Sequence, residues 1–201
     1  MEFFRQKGFI QRFNAGDRGA FLSAYDHFAP KLLKYGYFKT GANKDLAEEL
    51  VQSVFYKTWE YLASDKRQAI KNIQAFLYRV ARNAVIDHWR RGVKEPLPLM
   101  DELAEVSDNS AWRDSAELAF QMEELVEVMR NIPPQYREVI ELRYLEQLEI
   151  AEICAVLEKS SNSVYVLLHR ALRAMKLKLD AREFDSAGRQ KLGMLIASAD
   201  D

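Results

Sequence analysis

Almost every periodic stretch of this chain repeats its apolar residues three or four positions apart, the helical repeat, and almost none alternates as a strand would. Breaks are sparse: eight glycines and five prolines in 201 residues. Gly16 and Gly19 flank a first turn, ahead of a helix near 20–35, and Gly36, Gly41 and Asn43 mark the next turn. Asp45 is placed to cap a helix reaching about Leu62, with Leu46, Leu50, Val54 or Val51, Phe55 and Leu62 as its inner stripe. The polar stretch 64–71 reads as a loop. A helix over about 73–91 follows, with Ile73, Leu77, Val80, Ala84 and His88 on one line.

The pattern breaks between Gly92 and about Ser115, where Pro96 and Pro98 stand among acidic and small polar residues, a linker composition. Helical spacing resumes at Leu118, Met122, Leu125 and Met129. Ile132-Pro133-Pro134 forces a turn, and Pro134 suits the first position of a helix over about 135–145. Helices near 150–157 and 161–179 close the pattern. The fold expected is all-α: two small helical domains, 1–92 and 116–180, joined by a flexible acidic linker, 93–115. A less patterned tail, 181–201, follows.

With 48% apolar residues, each half has enough to bury a core. The formal net charge of −1 conceals a segregation. Residues 66–91 carry seven lysines and arginines against Asp87 alone, roughly +6, whereas 92–131 carry ten carboxylates against three cations, roughly −7. A single cysteine, Cys154, excludes an internal disulfide, fits a reducing compartment and, amid Ile153, Val156 and Leu157, reads as a buried structural thiol. No apolar run approaches the ~20 residues of a membrane span, and charges interrupt MEFFRQKGFIQRF too often for a signal peptide. A cytoplasmic protein is expected. His27, His88 and His169 are scattered, with no paired ligands at metal spacing, and no glycine loop could cradle phosphate. No metal, cofactor or catalytic group is expected, and no enzymatic activity.

Two stretches suggest nucleic acid. The helices near 150–157 and 161–179 have a helix-turn-helix layout. In the second, Val164, Leu168, Ala171, Leu172 and Met175 form a core face, while Asn162, Tyr165, His169, Arg173 and Lys176 lie opposite. Arg170 and Arg173 are placed to neutralise phosphates. The helix over 73–91 carries an outer stripe of Arg79, Arg82, Ile86 and Arg90 with Arg91 beside it. Phe76, Tyr78 and Trp89 are close in sequence, with Tyr56 and Trp59 on the preceding helix. Basic side chains follow a backbone and aromatic faces hold unstacked bases, so this combination points to single-strand capture. Taken singly, Phe76 and Trp59 fit a core better than a base platform.

DLAEELVQSVFYKTW (45–59) followed by NIQAFLYRVARNAVIDHWRR (72–91) resembles the core domain of bacterial RNA polymerase sigma factors. IPPQYREVIELRYLEQLEIAEICAVL (132–157) and VYVLLHRALRAMK (164–176) resemble their C-terminal helix-turn-helix domain. The order, the acidic linker and the length resemble the extracytoplasmic-function (ECF) class, over about 10–178. This resemblance implies a promoter-specificity subunit that directs core polymerase to promoters and assists melting. It implies that Asp45, Glu48, Glu49, Gln52 and Phe55 dock on the clamp helices of the largest polymerase subunit, with a further contact at the flap region. It also implies that Lys57, Asn83 and the loop 64–71 line a pocket for a base flipped from the −10 element, and that Arg79, Arg82, Trp89, Arg90 and Arg91 hold the strands nearby. Captured bases would return the few kcal/mol that unstacking costs, so opening needs no ATP. The linker would thread toward the active-site channel, and an anti-sigma factor is an expected partner.

The departures from the family fall in the last helices. Glu158 replaces a customary glycine, with Lys159 after it where an apolar residue is common. The family's V-K-S-R-L-H-R-A is here Val164-Tyr165-Val166-Leu167-Leu168-His169-Arg170-Ala171, so a lysine and an arginine are lost. Weaker or different −35 recognition follows, with Ser161 and Asn162 reading base edges, Tyr165 and Val166 against thymine methyls, and His169, Arg170 and Arg173 beside them. The alternative is that Tyr165–Leu167 is a protein surface. Two other functions stay open: a sigma-like mimic that binds an anti-sigma factor without supporting transcription, and a plain helix-turn-helix repressor.

Overall fold

The computed structural model describes residues 2–40, 43–65, 67–90 and 128–180, and among them there are helices and no strand. In chain order these are α1 (Glu2–Arg5), α2 (Lys7–Asn14), α3 (Arg18–Lys39), α4 (Lys44–Ala63), α5 (Ile73–Arg90), α6 (Pro134–Ile140), α7 (Ile150–Leu157) and α8 (Ser161–Asp180). The chain divides into two compact units, one built on α1–α5 together with α7, the other on α6 and α8. The linker and the expected helix over 116–131 lie outside the described residues, apart from its last turn, as does the tail.

In the first unit, the long helices α3, α4 and α5 pack on one another and α2 packs on α3. Phe13, Phe28, Leu32, Val54, Ile73, Leu77 and Tyr78 are fully buried, each side chain contributing about 1.5–3 kcal/mol of transfer free energy. Two N-terminal helices, α1 and α2, precede the first helix expected from spacing. Their signal is Phe9 and Phe13, one turn apart and both buried. Phe4 seals this corner, its ring 5.0 Å from Phe9, 5.2 Å from Phe28 and 4.3 Å from His27.

Several boundaries differ from expectation for local reasons. Asp17 caps α3, its Oδ1 accepting from the Ala20 amide at 2.7 Å and from Arg12 at 2.8 Å; both bonds favour the carboxylate and lower its pKa. Helix α3 runs through Gly36 instead of turning there. A Cβ on Gly36 would lie 2.8 Å from Leu50 Cδ2 and 3.4 Å from Ala47 Cα, so the glycine serves the α3–α4 crossing. Asn43, not Asp45, caps α4, its Oδ1 accepting from Leu46 N at 3.0 Å. In α5 the buried line is Ile73, Leu77, Ala81 and Val85; Val80, Ala84 and His88, expected on that line, are half-buried. Helix α7 buries Glu152, Ile153, Val156 and Leu157. The Glu152 carboxylate accepts from Arg5 Nη2 and Asn72 Nδ2, both at 2.8 Å. Cys154, expected buried, is half-buried.

In the second unit, Pro134 opens α6 as expected, and a π-helical turn over Glu141–Leu145 extends it. Arg137 is buried, its Nε donating to the Met129 carbonyl at 2.9 Å, so it closes the end of the preceding helical turn. Helix α8 packs on α6, and the expected face Val164, Leu168, Ala171, Leu172 and Met175 is buried throughout.

Candidate polymerase and nucleic-acid interfaces

Helix α4 shows two characters along one outer stripe. Asp45, Glu48, Glu49, Gln52 and Lys57 are exposed, and the Lys44–Glu48 pair at 4.0 Å is a loose surface contact worth a fraction of a kcal/mol. Phe55, placed on the inner stripe by the helical repeat and on the docking face by the resemblance, is interior: it is 4% exposed, with Tyr25 at 4.7 Å and Phe21 at 5.9 Å between ring centroids. The apolar ground beside the carboxylates comes instead from Tyr56 and Trp59 of α4 and Leu22 and Tyr25 of α3, all exposed. Phe21 underlies it, edge-on to Trp59 at 5.0 Å. Leu22 and Tyr25 add to the face expected from the sequence. Their signal is two large apolar side chains set three apart, off the Ala20, Ala24, Phe28 core line.

On α5, two of the proposed base platforms are core. Phe76 lies 5.0 Å from the Tyr61 ring with the Arg79 guanidinium 5.6 Å above it, and Tyr78 packs against Tyr35 at 5.5 Å. Trp89 is half-buried, its indole Nε1 enclosed without a hydrogen-bond partner among the described residues. Arg79 and Arg82 are half-buried, and Asn83 and Arg90 are exposed. Arg90 faces Asp87 at 3.9 Å. Arg91 lies outside the described residues.

The segment from α4 to α5 is tied down closely. The Tyr61 hydroxyl accepts from Gln68 N at 2.9 Å and donates to Gln68 O at 2.9 Å. Asn14, at the end of α2, accepts from Ile70 N at 2.8 Å through Oδ1, and its Nδ2 donates to the Ile70 and Ile10 carbonyls, both at 2.9 Å. Ile70 is buried. Asn72 then caps α5, accepting from Ala75 N at 2.9 Å.

Helix α8 begins after a tight turn in which Glu158 has φ +54°, the left-handed conformation its glycine-replacing position implies. Ser160 Oγ accepts from Ser163 N at 3.3 Å. Ser161, Asn162, Tyr165, Val166, His169, Arg170 and Arg173 are all exposed, and Leu167 is half-buried. The exposed face is therefore mixed, apolar over Tyr165–Val166 and cationic one to two turns on. Among the described residues, no group of three His, Cys, Asp or Glu could hold a metal ion, and no helix is long and apolar enough to cross a membrane.

Residues 24–95 match Sigma-70 region 2 and residues 122–175 match Sigma-70, region 4. The RNA polymerase sigma-E factor of Streptomyces coelicolor (strain ATCC BAA-471 / A3(2) / M145) is 33% identical over 143 residues, covering 70% of this chain and 75% of that protein. The ECF RNA polymerase sigma factor SigM of Bacillus subtilis (strain 168) is 31% identical over 134 residues, 67% of this chain and 80% of the relative. The solved structure of CnrH in complex with the cytosolic domain of CnrY shares the fold, with a TM-score of 0.58 and 21% identity over 87% of this chain and 97% of CnrH. With both regions present in order and relatives aligned over most of their length, the chain belongs to the extracytoplasmic-function class of RNA polymerase sigma factors.

Proposed function

We propose a division of labour by which this sigma factor directs core polymerase to promoters and assists their melting. Helix α4 docks on a basic helical surface of the largest polymerase subunit through Asp45, Glu48, Glu49 and Gln52, with Leu22, Tyr25, Tyr56 and Trp59 supplying apolar contact. Lys57, Asn83, Arg79, Arg82, Trp89, Arg90 and Arg91, with the segment before α5, take the −10 strand. Helix α8 takes the −35 duplex through Ser161, Asn162, Tyr165, Val166, His169, Arg170 and Arg173, with a further contact at the flap region. The observation that carries this reading is the single stripe of α4, on which carboxylates stand exposed beside aromatic rings: charge sets orientation and the apolar ground supplies affinity. A helix-turn-helix repressor that acts on duplex DNA alone has no use for it.

We read the protein as acting in the cytoplasm and as no enzyme by itself, the chemistry belonging to the polymerase. An anti-sigma factor is a fitting regulator, and the exposed Tyr165–Val166 pair is apolar ground for such a partner. The test is run-off transcription with purified core. Promoter-dependent transcripts are expected from the parent, none from a Glu48→Lys, Glu49→Lys variant that no longer associates with core, and slow opening from a Lys57→Ala, Asn83→Ala variant. A parent that associates with core yet yields no promoter-dependent transcript would favour the mimic.

A further inference from the structure

The segment joining α4 to α5 is gripped from outside at alternate residues. Tyr61 takes both backbone polar groups of Gln68, Asn14 takes both backbone polar groups of Ile70, and the Glu152 carboxylate takes the amide of Asn72, which also caps α5. Between these anchors Ala69 and Lys71 are exposed, as are Gln68 itself and Arg67 just before it. The Asn14 amide is fully engaged, two N–H groups to two carbonyls and its oxygen to one N–H. Only an amide offers that set; an aspartate has no donor and a leucine has neither donor nor acceptor. Asn14 also comes from α2, outside the 24–95 stretch that matches region 2.

We propose that Asn14 and Tyr61 are positioning residues that set the shape of segment 67–72 before DNA arrives, and through it the base preference at the −10 element. A loop already held at alternate residues through its backbone loses less conformational freedom on binding. It also presents its side chains in one arrangement, so that a wrong base meets a fixed misfit instead of a loop that adapts. Neither residue needs to touch DNA to act in this way. The inference rests on the reading above, in which this segment lines the pocket for the extruded base.

The test uses holoenzymes assembled from core polymerase and the full-length parent, Asn14→Leu, Asn14→Asp or Tyr61→Phe chains. Tyr61→Phe keeps the ring against Phe76 and removes only the hydroxyl, so it decides the matter should the Asn14 variants fail to fold. Each is titrated with forked DNA carrying a single-stranded −10 segment with each of the four bases in turn at every position. Core association and binding of −35 duplex are expected to stay within about twofold of the parent. Affinity for the best −10 strand is expected to fall about tenfold, and the ratio between best and worst base to shrink by a similar factor. An unchanged base ratio in variants that fold, even with uniformly weaker binding, overturns the proposal and leaves Asn14 and Tyr61 as mere supports. A parent that binds core but shows no base preference in the single strand refutes the capture reading itself, and the inference with it.

Discussion

The ring of Tyr25 on α3 stands 4.7 Å from the ring of Phe55 on α4, one exposed and the other buried. If Tyr25 belongs to the proposed docking face, substitution separates the two. Phe55→Ala is expected to destabilise the first unit by about 3–5 kcal/mol, as loss of a buried phenylalanine does. Tyr25→Ala with Leu22→Ala should leave the unfolding midpoint nearly unchanged and weaken core binding by more than about fivefold, the effect of removing an interfacial anchor. Equal core affinity in the double variant would remove α3 from the docking face.

At the α3–α4 crossing there is no room for a side chain on Gly36. Gly36→Val places branched carbons against Leu50 and the Ala47 backbone. Overpacking of this kind costs about 1–3 kcal/mol, more than the helix-propensity gain of replacing glycine returns. Urea denaturation of the full chain should show the loss.

The left-handed backbone at Glu158 gives the opposite sign. The residue is exposed, so its side chain contributes little packing, while its conformation costs a non-glycine residue about 1 kcal/mol. Glu158→Gly should raise stability by about that amount without changing DNA binding. A lower melting temperature would show that the glutamate makes a compensating contact.

His27 should give a pH dependence. Burial first, then the nearby Lys31 ammonium, holds its pKa below the usual 6.5, and Lys31 Nζ, 3.1 Å from Nε2, donates to the neutral ring. Above pH 6.5 the ring is neutral whether the chain is folded or not, and this contribution to stability is complete. As pH falls below 6.5, the unfolded chain takes up a proton that the folded chain resists, so stability declines until the folded ring also titrates. Thermal denaturation between about pH 7 and about pH 5 should show the decline, and His27→Gln should flatten it.

The face of α8 can be returned toward the family's charge pattern. Tyr165→Lys with Leu167→Arg should strengthen binding to −35 duplex and steepen its salt dependence by about one unit of slope for each phosphate gained. No change in slope would mean that this part of α8 does not lie along DNA, leaving Tyr165–Val166 to a protein partner.

Much of the chain was legible before its structure. Helical spacing identified α3, α4, α5, α7 and α8, the Pro-Pro turn located the start of α6, and the buried face of α8 follows from i, i+4 and i+7 spacing alone. The exposure of the charged residues on α4 and α8 was readable because a carboxylate or guanidinium rarely occupies a core. The aromatic residues were not readable in this way. Spacing put Phe55 on the inner stripe, but Phe76 and Tyr78 were offered as base platforms, and only the neighbours Tyr61 and Tyr35 settle that they are core.

The sequence by itself determined the helices from α3 onward to within their ends, the resemblance to the family and most of the charged residues that stay in water, because periodicity and charge are local properties of the chain. Tertiary structure alone decided that Gly36 spaces two helices instead of ending one, that Phe76 and Tyr78 are core and not base platforms, and that Asn14 holds Ile70 across 56 residues of chain. Each is a contact between segments remote in sequence. Its sign depends on which side chain arrives opposite, and no repeat within either segment records that.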